Sequence, residues 1–155
     1  MTPTATATNT PGPPIPVGQG PRAITITPDG KTAYVASWQG GTVTPIATAT
    51  NTAGAPIEVG EGARAIVITP DGKTAYVVVW GEPGTVTPIA TATGRAGPAI
   101  SVGLYSYPTD LVVSGSTAVI VDSYAGQISV INTSTRHVFA PVTVGNYPVA
   151  VAISG

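Results

Sequence analysis

The side chains of this sequence that could carry chemistry are few, and most are aromatic. Trp38 and Trp80 lie 42 positions apart, and Tyr105, Tyr107, Tyr124 and Tyr147 follow them. Such residues offer flat apolar area with a hydrogen-bonding edge, which suits a sugar, a peptide or another protein. Arg22 and Arg64 also recur at a spacing of 42. Asp110 and Asp122 are the carboxylates that could form a pair for general acid and base work, and their spacing leaves their approach open. Other catalytic arrangements fare worse. A nucleophilic serine needs a base, and the sole histidine, His137, sits in "STRHVFA", read as a turn on the face opposite the aromatic residues. The seven acidic residues are scattered singly, Asp29 and Asp71 belong to Pro-Asp-Gly turns, and cysteine is absent, so no metal site or cofactor is expected. No glycine-rich strand-to-helix motif for a nucleotide is present.

Composition narrows the partners. Of 155 residues 43% are apolar and 8% charged, with a net charge of −1, so the chain can bury a core but carries no overall field for nucleic acid or an anionic membrane. No run of about 18 apolar residues is available to span a bilayer. The opening "MTPTATATNTPGPPIPVG" has no basic segment followed by an apolar run, so a secretory signal is not expected within it.

The elements that must position these side chains are repeated. "TPDGKTAYV" occurs at 27 to 35 and again at 69 to 77, and "GTVTPIATAT" at 41 to 50 returns at 84 to 93, with "GQISVINTST" at 126 to 135 as a diverged third copy. Val-Gly pairs starting at 17, 59, 102 and 144 mark one point in four copies. Within a copy the pattern alternates with period two: "RAITITP" reads as a strand, Pro-Asp-Gly as a turn, "KTAYVAS" as a second strand, "TVTPIATAT" as a third, and "PPIPVG" as a short fourth on an edge where proline is tolerated. Nineteen glycines and sixteen prolines leave no room for long helices. The class is all-β. Four short antiparallel strands per repeat of about 42 residues match the blade of a β-propeller, in which each blade packs against neighbours of the same shape.

At this point "PDGKTAYVAS…GTVTPIATATNT" resembles the YVTN β-propeller repeat, whose consensus runs Pro-Asp-Gly, Tyr-Val-Thr-Asn, then Val-Ser-Val-Ile-Asp-Thr. Pro28 to Val35 and Pro70 to Val77 match its first part, and Ile128 to Thr133 its second. Ser37, Val79 and Asp122 occupy the family's asparagine position, and the third copy shortens Pro-Asp-Gly-Lys to "GS". The expected divisions are a partial blade at 1–20, blades at 21–62, 63–105 and 106–147, and the first strand of a further blade at 148–155.

In the usual strand order, Trp38, Trp80, Tyr124, Arg22, Arg64, Tyr105, Tyr107 and Tyr147 gather on one rim. Recurrence favours Trp38 and Trp80 as covers over neighbouring blades, and Arg22 and Arg64 as makers of blade-to-blade hydrogen bonds rather than as anion ligands. Tyr105, Tyr107 and Asp110 break the repeat and are the better binding candidates. The leading expectation is a non-enzymatic scaffold that presents this rim to protein or glycan. Resemblance to surface-associated YVTN proteins implies an extracellular or cell-surface setting. A propeller lactonase, or a fragment whose activity is assembly alone, are the alternatives. Three full blades fall short of the four to eight or so of a closed ring. The chain is therefore expected to self-associate as a homodimer, or less readily another small ring, two copies forming a pseudo-eightfold ring. Its melting temperature should then rise with concentration, and deletion of 147–155 should cost solubility.

Overall fold

A computed structural model describes residues 1–103 and 107–153, and all of its regular structure is strand. A small hairpin, β1 (Thr4–Ala5) with β2 (Thr10–Pro11), precedes three blades. The first contains β3 (Pro21–Ile26), β4 (Thr32–Ser37), β5 (Thr42–Ala47), β6 (Thr52–Ala53) and β7 (Ile57–Glu58). The second contains β8 (Ala63–Ile68), β9 (Thr74–Val79), β10 (Gly84–Ala90), β11 (Arg95–Ala96) and β12 (Ile100–Gly103). The third contains β13 (Pro108–Ser114), β14 (Thr117–Asp122), β15 (Gln127–Asn132), β16 (His137–Val138) and β17 (Val142–Thr143). Every pairing is antiparallel. In each blade the first three strands pair in sequence, and the last two short pieces both pair with the third strand. The two pieces are one outer strand, broken where Pro56, Pro98 or Pro141 interrupts its ladder.

Two expectations about strand ends are corrected. The third strand stops at Ala47 rather than running to Thr50, because residues 48–51 turn and Asn51 takes a positive φ of 55°. Asn9, Gly94 and Arg136 hold the same left-handed position in the other copies, where asparagine and glycine are favoured. Residues 148–153 form no ladder. The Val151 amide donates to Asp110 Oδ2 at 3.1 Å, and among the described residues no strand pairs with the segment.

The Pro-Asp-Gly turns are alike in both full copies. Asp29 Oδ1 accepts from the Thr27 hydroxyl at 2.6 Å and from the Lys31 amide at 3.0 Å, while Gly30 takes φ 72°. Thr69, Asp71, Lys73 and Gly72 repeat this. The donated threonine hydroxyl, followed by the backbone amide, holds both carboxyls below their usual range.

The core lies in the seams between blades. Tyr34, Ala36 and Val43 of the first blade pack with Ile66, Val77 and Ile89 of the second; Tyr76, Val78 and Val86 of the second pack with Leu111, Ile120 and Ile131 of the third. Tyr34 and Tyr76 are equivalent, 3% and 7% exposed, each facing the following blade. The Tyr34 hydroxyl also donates to the Thr91 carbonyl across the seam at 3.4 Å. Ile15 and Val17 of the opening segment cover Ala33, Val35 and Ile46 on the other side of the first blade.

Candidate functional site

The rim is built by backbone before it is furnished with side chains. β3 and β4 are antiparallel, as are β8 and β9, so the start of each inner strand lies beside the end of the second strand. Trp38 N donates to Gly20 O at 2.8 Å, and Trp80 N donates to Gly62 O at 2.9 Å. Gly62 N in turn donates to Trp38 O at 2.9 Å. One glycine thereby ties the backbones of both tryptophans across a seam, at φ 96°, where a Cβ would stand 2.3 Å from Trp80 O. Only a residue without a side chain fits there.

Four aromatic rings then run in a row over three blades. Trp38 and Trp80 have centroids 5.3 Å apart, Trp80 and Tyr107 4.7 Å, and Tyr107 meets Tyr124 edge to face at 5.3 Å. These are distances at which aromatic pairs attract. Trp38 and Tyr107 are half-buried, whereas Trp80 is 38% and Tyr124 69% exposed, so the row is anchored below and open above. The Tyr107 hydroxyl donates to Glu82 Oε1 of the preceding blade. That acceptor, then partial loss of solvent and the carboxylate's charge, holds the phenol above the usual tyrosine range. Beside the row lies a cavity of about 350 Å³ walled by Trp80, Tyr107, Tyr124 and Tyr147. The hydroxyls of Thr109 and Ser123 also line it; they bond each other at 2.7 Å and reach the Val121 and Pro148 carbonyls, so what they offer a ligand is acceptor lone pairs. An apolar wall with two hydroxyls is an arrangement for a ligand with one flat apolar face and hydrogen-bonding edges. Two clefts of about 330 and 500 Å³ are lined at the Pro-Asp-Gly turns by Asp29 and Asp71, whose carboxylates are already engaged by the turns.

Arg22 and Arg64 stand where the inner-strand register slips by one residue, between Pro21 and Ala23 and between Ala63 and Ala65. Such bulges re-aim a side chain. Arg22 lies over the Trp38 ring, 5.4 Å from its centroid. Loss of solvent, then the charge of Arg22, lowers the affinity of Arg64 for its proton. The expectation of blade-to-blade hydrogen bonds is corrected: among the described residues neither guanidinium makes one. The ion pairs found are Lys31 with Asp29 and Lys73 with Asp71.

The two departing aspartates serve separate loops. Asp122 is buried and accepts the amides of Tyr124 at 3.1 Å and Ala125 at 3.0 Å, fixing the turn that carries Tyr124. Asp110 accepts the Val151 amide. Asp122 stands opposite Pro108 and Asp110 opposite Val121, so the register does not make them a cross-strand pair. Ser37, at the position of Asp122, is fully buried and its hydroxyl has no partner among the described residues. His137 lies on β16 against Phe139, with ring centroids 4.7 Å apart, away from the rim. Tyr105 lies outside the described residues. Sequence reasoning missed Gly62, Glu82, Thr109 and Ser123. Gly62 alone left a signal, since it repeats Gly20 before the arginine.

Comparison with known proteins identifies the fold. The chain superposes on Kuenenia stuttgartiensis hydrazine synthase with a TM-score of 0.85 and 25% identity, over 93% of this chain and 43% of that one. A functionally unknown protein from Desulfotomaculum acetoxidans matches with a TM-score of 0.73 and 18% identity, over 86% of this chain and 45% of that one. The RRP9 WD40 repeats match with a TM-score of 0.70 and 10% identity, over 83% and 40%. No family model and no curated protein sequence matches. The chain spans less than half the length of each of these structures. It is an all-β arc of a β-propeller, built from four-stranded antiparallel blades and short of a closed ring.

Proposed function

We propose that this arc, of the YVTN-repeat type, is a non-enzymatic binding module whose rim takes a glycan or protein ligand. The observation that carries the reading is the continuous row of Trp38, Trp80, Tyr107 and Tyr124 across three blades, open to solvent beside a cavity of about 350 Å³. Blade packing alone needs no such row, because the seams are already filled by Tyr34, Tyr76 and their aliphatic neighbours. The engagement of Asp110 and Asp122 by backbone amides supports a binding role over acid and base chemistry. The likeness to hydrazine synthase contributes the fold only.

The test is direct. A bound glycan or peptide is expected to quench tryptophan emission, and Trp80→Ala to weaken binding by at least about tenfold. Because Trp80 is partly exposed, the same change should cost only about 1–2 kcal/mol of stability. Unchanged binding together with a large loss of stability would make Trp80 a seam cover and nothing more.

The same reading includes self-association. Ile24 is 50% exposed while its equivalent one blade on, Ile66, is 6% exposed, because the preceding blade covers only the latter. On the far side of the third blade Val112, Val119 and Val130 are half-exposed. These are the two kinds of face that meet in every internal seam, so a second copy is the natural cover for both.

A further inference from the structure

We infer that the Trp38 end of the row is an anion subsite, and that the rim's ligand is an acidic oligosaccharide whose carboxylate lies between Arg22 and Arg64. The inference rests on the reading of the rim as a binding surface.

Three observations carry it. The first is that the fold does not require these arginines. The third blade makes the same register slip with Thr109, between Pro108 and Asp110, so a bulge at this point forms equally well around a short neutral side chain. The second is that, among the described residues, neither guanidinium meets a hydrogen-bond acceptor or a carboxylate, Arg22 being stacked over Trp38 instead. They sit on adjacent inner strands. Two like charges set together repel, and an anion placed between them removes the repulsion while filling two planar donor forks. With a net charge of −1 the whole chain supplies no overall field for an acidic ligand, so at this end of the row the attraction is local to the pair.

The third is continuity. Arg22 lies over Trp38, Trp38 is next to Trp80, and Trp80 is a wall of the cavity that holds the Thr109 and Ser123 hydroxyls. One ligand lying along the row therefore meets aromatic faces and neutral hydroxyls at one end and positive charge at the other. A pyranose chain supplies each part: a face of C–H groups for the rings, hydroxyl edges for Thr109 and Ser123, and a carboxylate on an acidic sugar for the arginines. A peptide that adds as a strand needs main-chain partners at a sheet edge, which this rim of side chains does not offer; an acidic peptide read by the arginines alone is the competing ligand that oligoglutamate tests.

The experiment compares three probes by titration calorimetry and tryptophan emission: a short oligogalacturonate, its neutral methyl ester, and an oligoglutamate peptide of similar length. Oligogalacturonate is expected to bind about tenfold or more tightly than its ester, with an affinity that falls as salt rises. Arg22→Gln with Arg64→Gln should erase the preference, so that acid and ester bind the variant alike. The paired change to lysine, which retains charge without the fork, should restore part of it. Equal binding of acid and ester to the unaltered protein, still abolished by Trp80→Ala, overturns the anion subsite and leaves the rim as a binding surface. Binding of oligoglutamate without either saccharide overturns the saccharide assignment. Failure of all three probes to bind or to move the emission overturns the inference and counts against the rim itself.

Discussion

Tyr107 and Glu82 show how a single contact can place a functional side chain. The phenol donates across a seam to a carboxylate in the preceding blade, and so is held against Trp80. The hydrogen bond favours the protonated phenol, which raises its pKa from the ordinary 10.0. Its contribution is complete below the ordinary value and is lost as pH rises through the raised one. Glu82→Gln is expected to bring the titration of Tyr107 back toward 10.0, read from phenolate absorbance, and to loosen the row beside Trp80. An unchanged titration curve would mean that the contact does not persist in solution. Residues of this kind were only half legible in the sequence. Asp110 and Tyr107 stood out because they break the repeat, but their partners Val151 and Glu82 carry no pattern of their own. Contacts over 25 and 41 positions follow from which blades adjoin, and no local spacing reports that.

At the scale of elements, glycines at positive φ divide by what surrounds them. Gly30 has φ 72° and nothing within 4 Å of an added Cβ, so Gly30→Ala should cost only the left-handed penalty, about 1 kcal/mol. Gly62 has φ 96° and the Trp80 carbonyl 2.3 Å from that Cβ. Gly62→Ala must therefore part the two tryptophans or break the bonds that join them, at a cost of about 2 kcal/mol or more. Urea unfolding of both variants, with tryptophan emission as the signal, separates the cases. Equal midpoints would show that Gly62 is an ordinary turn residue. The strands themselves were largely readable, since alternation with β-branched residues and Pro-Asp-Gly turns marks β3, β4, β8 and β9. The ends of β5 and β10 were not. "ATAT" alternates like a strand, and the left-handed residue that ends it, Asn51 or Gly94, outweighs that propensity.

For the whole molecule, the repeat made the propeller architecture legible, because a period of about 42 with four strands admits few other folds. The rim as a continuous row was not, since it depends on Trp38, Trp80, Tyr107 and Tyr124 being brought together by three separate blades. The contrast between Ile24 and Ile66 carries the prediction at this scale. The protein is expected to sediment as a dimer or small ring with a melting temperature that rises on concentration, and Ile24→Lys should shift it toward monomer with the blades still folded. A compact monomer with a concentration-independent melt would show that the exposed faces are tolerated. The glycine tie between the two tryptophans has one further consequence, a mechanical one. Blades of a propeller pack face to face around the arc, and bending the arc means opening its seams. The row of rings crosses the seam between the first and second blades and again the seam between the second and third. Anything gripped along its length would act as a splint, so that backbone amides deep in both seams should exchange with solvent more slowly when the rim is occupied, far from any atom the ligand touches.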